Sequence, residues 1–459
     1  MEIQRETSKW LKYTKSLRYV LFKNAVYQQG NCKTSKEAGL KGLENMKRTK
    51  IMKVAHSDSC RQFKKVNNFP LYMDKYPSTL QEISINLESP SIILGQQVSM
   101  HKFQHLRKLE LLFPLDLRTA WMILQTIPNP QLLTCLGFYL KVPCGEFDRE
   151  IIPILSFIMN CPLLEKITIQ INYQNSRLKA LRLPPQNNLK ALNFGISVNC
   201  DRHLREIGAF LLTTNELESL NLRVNFNGKC EAFVEFCESL RKLTCLKKLC
   251  LKLNTGDHYV DTEKISLDLL NSIACLDRLE EICVYVPDLF GKLHARQFFG
   301  VLGKIADQLK KIELEFCGKN LYEKDLIEFF YLLGKVKNLM DLRIDKFSIE
   351  DLGGLLKFKQ VLEGMESVKK IYWRNFVISR EGYEILFEMI MSLLEKKGVE
   401  ELVLQHSHQW NVPKIYKSVV FEEVLKKNPW LKFAKIESQM VRDGFFSRNF
   451  DICKQYEKF

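Results

Sequence analysis

The sequence predicts an α/β solenoid, a parallel sheet backed by helices, and three observations carry that prediction. The first is a recurring pattern: an apolar residue, two variable ones, an apolar residue, one variable and an apolar residue. Copies start at Leu80, Leu106, Leu133, Leu164, Leu189, Leu217, Leu246, Leu279, Leu309, Leu339, Val368 and Val399, with a weaker one at Leu431 where Ala434 takes the middle anchor. The second is the period. The starts span 351 residues in twelve steps of 25 to 33, close to 29 on average, which is the range of stacked repeats. The third is the amphipathic run that follows the pattern, as in residues 202–212 (RHLREIGAFLL), 231–240 (EAFVEFCESL) and 324–333 (KDLIEFFYLL), with apolar residues three and four apart.

Each element follows from spacing. The second and third anchors of a copy are two residues apart, as in Leu220 and Leu222 or Ile312 and Leu314, so both point to one face of a short strand and their neighbours to the other. A turn-like stretch comes next, then the helix. One such unit cannot bury both its strand face and its helix stripe, so units must stack, with strands forming one parallel sheet and helices covering its outer side. Helices are bulkier than strands, and the stack is expected to curve with the sheet inside.

The pattern resembles the leucine-rich repeat family, and a period near 29 with a full helix per unit is similar to its ribonuclease-inhibitor-like class. The resemblance covers residues 80–437 of the 459 and implies a curved horseshoe with the sheet on the concave face and helices on the convex face. It departs from the family at the Asn eight residues after the first anchor. That residue is present as Asn172, Asn225 and Asn254, with Cys317 as the common substitute, while Glu88, Pro114, Lys141, Ser197, Pro287, Phe347, Phe376 and Ser407 stand elsewhere. Those turns must satisfy their backbone groups in other ways.

Three segments result: a basic segment at 1–79, a solenoid of about 13 units at 80–437, and a tail or cap at 438–459. In the first, residues 36–46 (KEAGLKGLENM) read as an amphipathic helix and residues 51–54 (IMKV) as a strand, and Leu17, Val20 and Phe22 reproduce the anchor spacing. The segment is either a run of degenerate repeats or a separate cap; terminal units cover an exposed core edge and are atypical either way.

Charge is uneven. The whole chain carries +15, but residues 1–79 hold 17 Lys or Arg against 6 Asp or Glu, a net +11, leaving +4 for the other 380. Contact with a polyanion (RNA, a microtubule or an anionic membrane) through residues 46–53 (MKRTKIMK) with Arg61, Lys64 and Lys65 is therefore one reading. Fourteen cysteines without a CxxC pair, and no apolar leader in residues 1–7, point to a reducing, cytoplasmic compartment. The longest mostly apolar stretch, residues 151–164, is interrupted by Pro153, Asn160 and Pro162 and is shorter than the ~18 residues a membrane span requires.

Signatures of catalysis are missing: no GxxxxGK[ST], GxSxG, HExxH or post-strand GxGxxG occurs. His101 with His105 and His406 with His408 lack neighbouring ligands at metal-site spacing, so no metal, cofactor or catalytic residue is expected. Ran GTPase-activating proteins resemble such arrays but commonly end in an acidic segment, whereas residues 438–459 are mixed in charge. Many F-box proteins carry similar arrays, and a substrate-recognition subunit of a ubiquitin ligase is an alternative, although residues 1–79 show no convincing F-box pattern.

The positions before, between and after the second and third anchors should line the concave face. Over thirteen units they hold ten basic residues (Lys108, Lys166, Arg223, Lys248, Lys252, Lys311, Arg343, Lys370, Arg374, Lys435) and nine acidic ones (Glu82, Glu110, Glu281, Glu313, Glu315, Asp341, Asp345, Glu401, Glu437). Phosphate binding favours basic runs with few carboxylates, so this mixture fits a protein partner better. Thirteen strands at ~4.8 Å give an arc of roughly 60 Å, enough to hold a small domain or a helix. Tyr139, Tyr285 and Tyr372 are the expected aromatic anchors, and Arg223, Lys252, Arg343 and Arg374 the specificity contacts. Trp373 occupies an anchor position and belongs to the core.

Overall fold

A computed structural model describes residues 19–23, 51–56, 78–87, 99–142, 147–173, 185–198, 201–226, 230–255, 262–285, 294–316, 323–349, 351–395, 398–406, 433–438 and 450–452. The chain divides into two compact units, Met1–Leu217 and Glu218–Phe459.

The first unit holds strands β1 (Tyr19–Lys23), β2 (Ile51–His56), β3 (Glu82–Leu87), β4 (Lys108–Asp116), β5 (Cys135–Val142), β6 (Lys166–Tyr173) and β7 (Ala191–Val198). Its helices are α1 (Leu117–Gln125) after β4, α2 (Phe147–Met159) after β5 and α3 (Asp201–Leu211) after β7. All neighbouring strands run parallel, and equivalent anchors face one another: Ile83 pairs with Leu109, Leu109 with Leu136, Leu136 with Ile167 and Ile167 with Leu192. The same register extends back to β1 and β2, where Val20 pairs with Met52 and Met52 with Ile83.

The second unit contains β8 (Ser219–Phe226), α4 (Cys230–Arg241), β9 (Lys248–Thr255), α5 (Thr262–Ile273), β10 (Glu281–Tyr285), α6 (His294–Lys304), β11 (Lys311–Glu315) and α7 (Glu323–Lys335). It continues with β12 (Asp341–Asp345), β13 (Ser348–Ile349), α8 (Leu352–Gly364), β14 (Lys370–Ile378), α9 (Tyr383–Glu395), β15 (Glu401–His406), β16 (Phe433–Ser438) and β17 (Phe450–Ile452). Its anchor row runs Leu220, Leu249, Ile282, Ile312, Leu342, Ile371, Leu402, Ala434 across parallel strands, and β17 closes against β16 antiparallel.

Burial confirms the spacing argument. The twelve first anchors from Leu80 to Val399 are all buried, as are both following anchors of those copies; Leu431 lies outside the described residues. A helix run such as residues 324–333 falls within α7, whose Phe329, Phe330, Leu332 and Leu333 are buried. The predicted helix at 36–46 lies outside the described residues.

Repetition also sets the backbone bonding. At ten of the described strand entrances two successive N–H groups donate to one carbonyl of the preceding copy. Arg107 and Lys108 donate to Gln81, Thr134 and Cys135 to Arg107, Glu280 and Glu281 to Lys247, Lys369 and Lys370 to Met340. Backbone groups that would be orphaned in a lone unit find partners only in a stack.

Where the family's Asn is missing, the chain uses other devices. Lys346 and Asn375 adopt left-handed backbone, with φ of 57° and 51°, and the strand register shifts between Arg374 and Phe376. This turns the next residues, Phe347 and Phe376, inward, where their rings stack at 5.7 Å. Asn375 Nδ2 donates to Asp345 Oδ1 at 2.7 Å. A second register shift falls between Leu111 and Pro114, where proline brings no N–H to the ladder. The side chains of Asn172, Asn225 and Asn254, and Cys317 as a whole, lie outside the described residues.

Aromatic rings fill the interior of the second unit. Phe330 stacks on Phe358 at 4.3 Å and Phe358 meets Trp373 at 5.0 Å. Trp373 is 1% exposed, as its anchor position requires, and its Nε1 has no hydrogen-bond partner among the described residues. Asp116 and Asp351 cap α1 and α8, accepting from the backbone N–H of Thr119 and Gly354 at 2.7 Å each.

Candidate binding surface on the open sheet face

Anchors alternate along the strands with residues on the face away from the helices; on β11 and β12 those residues are half-exposed. In β11 and β12 these are Lys311, Glu313, Glu315 and Asp341, Arg343, Asp345. Parallel register turns these positions into rows across the sheet.

The first row of the second unit alternates in sign, strand by strand: Lys248, Glu281, Lys311, Asp341, Lys370, Glu401. Lys248 reaches Glu281 at 2.5 Å and Lys370 reaches Glu401 at 2.6 Å. Lys311 instead pairs along its own strand with Glu313, and Arg343 with Asp341, both at 2.9 Å. Pairs this exposed contribute ~0.2–1 kcal/mol each; their larger effect is to neutralise most of the face from within.

The candidate residues separate accordingly. The Tyr285 hydroxyl donates to Glu313 and the Tyr372 hydroxyl to Glu401. Burial, with the bond to Glu401, pushes Tyr372 up to about 12, and burial with the bond to Glu313 also raises Tyr285. Arg343 is held by Asp341 and lies 4.4 Å from the Tyr372 ring centre, with Arg374 on the same ring at 6.0 Å. Lys252 sits 3.8 Å over the Tyr285 ring. Among the described residues, Arg223, Lys252 and Arg374 form no ion pair. Arg223, Lys252 and Tyr285 are direct neighbours in register on β8, β9 and β10. Tyr139 belongs to the first unit, half-buried on β5 opposite Gln170.

In the first unit the open face centres on Glu110, which is 5% exposed. Lys108 and Lys166 both reach it at 2.9 Å; Ser84 Oγ and Cys135 Sγ donate to it at 3.0 and 3.4 Å. Burial alone would raise this carboxyl, but the bonds from Lys166 and Lys108 outweigh it and bring the pKa down to about 2. Gly137 makes the arrangement possible, because a Cβ there would lie 3.0 Å from Glu110 Cγ. Sequence reasoning placed Glu110 on this face without singling it out. The legible signal was a lysine two residues after the first anchor in the copies at Leu106 and Leu164, with Gly137 of the copy between them at the position equivalent to Glu110.

Among the described residues no three His, Cys, Asp or Glu side chains gather as a metal site, and no helix is long and apolar enough to cross a membrane. His101 and His105 are exposed; the side chain of His406, and His408 as a whole, lie outside the described residues.

No protein-family model matches the sequence, and no curated protein does so either. Among solved structures, an internalin from Listeria monocytogenes aligns over 87% of this chain and 93% of its own, at 11% identity and a TM-score of 0.29. So loose a superposition leaves the assignment to the chain itself, where the anchors of the twelve copies from Leu80 to Val399 are buried and equivalent anchors pair side by side within each unit. Each unit has the fold of a leucine-rich repeat stack, with strands in one parallel sheet and a helix after most of them. In each unit the open sheet face carries the variable side chains, and what the chain can do chemically is set there. On the second unit's face most described charges pair with one another, and Lys252 and Arg374 border the Tyr285 and Tyr372 rings.

Proposed function

We propose that this leucine-rich repeat array is a non-catalytic protein-interaction scaffold that takes an acidic segment of a partner protein on the open face of its sheet. One observation carries the reading. Most charges on the second unit's face pair with each other, while Arg223, Lys252 and Arg374 stay free of ion pairs among the described residues, two of them beside tyrosine rings. A carboxylate meeting such a cation displaces no carboxylate among the described residues, and a charge-assisted bond contributes ~1.5–3 kcal/mol. Tyr285 and Tyr372, already oriented by Glu313 and Glu401, supply rigid contact area at little ordering cost. Arg343 acts by holding the Tyr372 ring, and Tyr139 serves as a separate anchor on the first unit. Residence in the cytoplasm rests on cysteine usage. Residues 1–79 read best as degenerate repeats, a reading supported by the register of β1 and β2 with β3.

The test is affinity purification with the full chain, followed by affinity measurement on the recovered partner. Arg223→Glu with Lys252→Glu should weaken binding at least tenfold. Lys304→Glu with Lys335→Glu, at the ends of α6 and α7, should leave it unchanged. The opposite ranking would move the binding surface to the helices and overturn the proposal.

A further inference from the structure

Cys250 and Cys283 occupy the same position in successive copies, four residues after Leu246 and Leu279, and lie directly opposite each other on β9 and β10. Their sulfurs are 2.9 Å apart, inside the van der Waals contact of two sulfur atoms. A disulfide needs Cα atoms ~4.4–6.8 Å apart, and neighbouring strands lie ~4.8 Å apart, so the bond forms with only local closure of the two strands. Of the other described cysteines, Cys135, Cys161 and Cys237 are buried, Cys245 is half-exposed, and Cys275 is exposed with its thiol donating to Asn271 O.

We propose that Cys250 and Cys283 are a dithiol modification site, which a peroxide oxidises to a cross-strand disulfide within the open sheet face. Cys250 is the half-exposed partner and faces solvent on that side; Cys283 is 9% exposed. Cys250 ionises first. The hydrogen bond with Cys283 lowers its pKa against the opposing effects of burial and of Glu313, and Lys252 and Lys311 also lower it; the same bond, with burial, raises Cys283. By contrast, burial holds Cys161 up at about 12.

The chemistry balances. The Cys250 thiolate attacks one peroxide oxygen, an S–O bond forms, the O–O bond breaks, and the departing hydroxide takes up a proton as water. Cys283 then attacks the sulfenic sulfur, the S–S bond forms, the S–O bond breaks, and a second water leaves with the remaining proton. Two thiols and one peroxide yield one disulfide and two waters, with two electrons passing from sulfur to oxygen. The thiolate supplies the nucleophile and the adjacent thiol resolves it.

The experiment treats the folded full-length chain with one equivalent of hydrogen peroxide, alkylates the remaining thiols and digests without reduction. Trypsin separates Cys250 (residues 249–252), Cys275 (265–278) and Cys283 (279–292). A linked 249–252/279–292 species should dominate, vanish on reduction, and be absent from Cys250→Ser and Cys283→Ser chains with unchanged circular dichroism. Recovery of both peptides alkylated while Cys275 is oxidised overturns the proposal. So does Cys250 found as sulfinic acid without a link, or linkage of either cysteine to another thiol.

Discussion

Glu110→Gln isolates the charge at the centre of the first unit's open face while keeping its shape. Folding lowers the Glu110 pKa from 4.5 to about 2. At 1.36 kcal/mol per unit that corresponds to ~3 kcal/mol. Lys166 is 45% exposed, so solvent screens part of its interaction, and the expected penalty for Glu110→Gln at pH 7 is about 2 kcal/mol. Because the folded-state pKa is the lower one, the stabilisation is complete above the unfolded-state value and fades as pH falls from about 4.5 to 2. By pH 2, where half of the folded protein's Glu110 is protonated, about a tenth remains. Urea unfolding of both chains at pH 7, 4 and 2.5, followed by circular dichroism, gives the difference at each pH. A penalty of the same size at all three pH values would assign the effect to packing and refute the ion-pair argument, as would no penalty at pH 7.

Other perturbations have equally direct readouts. Gly382→Ala places a Cβ 2.6 Å from Ile378 Cγ2 and 2.9 Å from Leu355 Cδ2, and should cost about 1–3 kcal/mol in thermal unfolding; a neutral result would contradict the packing between α8 and the turn before α9. Trp373→Phe should cost no more than about 1 kcal/mol, because it removes a buried N–H that has no partner among the described residues, whereas Trp373→Ala should cost ~3–5 kcal/mol; equal losses would place the indole N–H in a bond. Replacing Arg61, Lys64 and Lys65 with Gln should leave partner affinity on the sheet unchanged, and should lower any retention on heparin together with its salt slope. Unchanged heparin retention would remove those residues from any polyanion contact.

The fold was legible because burial in a stacked array depends on position within one copy. Leu220 and Leu222 are two apart, so both must point inward, and the same arithmetic serves Leu342 and Ile344 on β12. It extended even to Val20 and Met52, which pair in register with Ile83. Pairing across the open face is a different matter, because it depends on which side chains of neighbouring copies can reach each other. Arg343 reads as an available cation in sequence but bonds Asp341 two residues away, and Tyr285 and Tyr372 read as open anchors but donate to Glu313 and Glu401. Gly137 looks like an empty position until Glu110 is seen to lean across it. Cys250 and Cys283 read as small apolar fillers of their strands; aligning the copies on Leu246 and Leu279 would have placed them side by side.

Lysine footprinting of the chain with and without its recovered partner addresses the central claim that recognition occurs on the open sheet face. Labelling of Lys252 should fall several-fold on binding, while Lys304 and Lys335 on the helices keep their reactivity. Protection of the helix lysines with Lys252 still labelled would contradict the account.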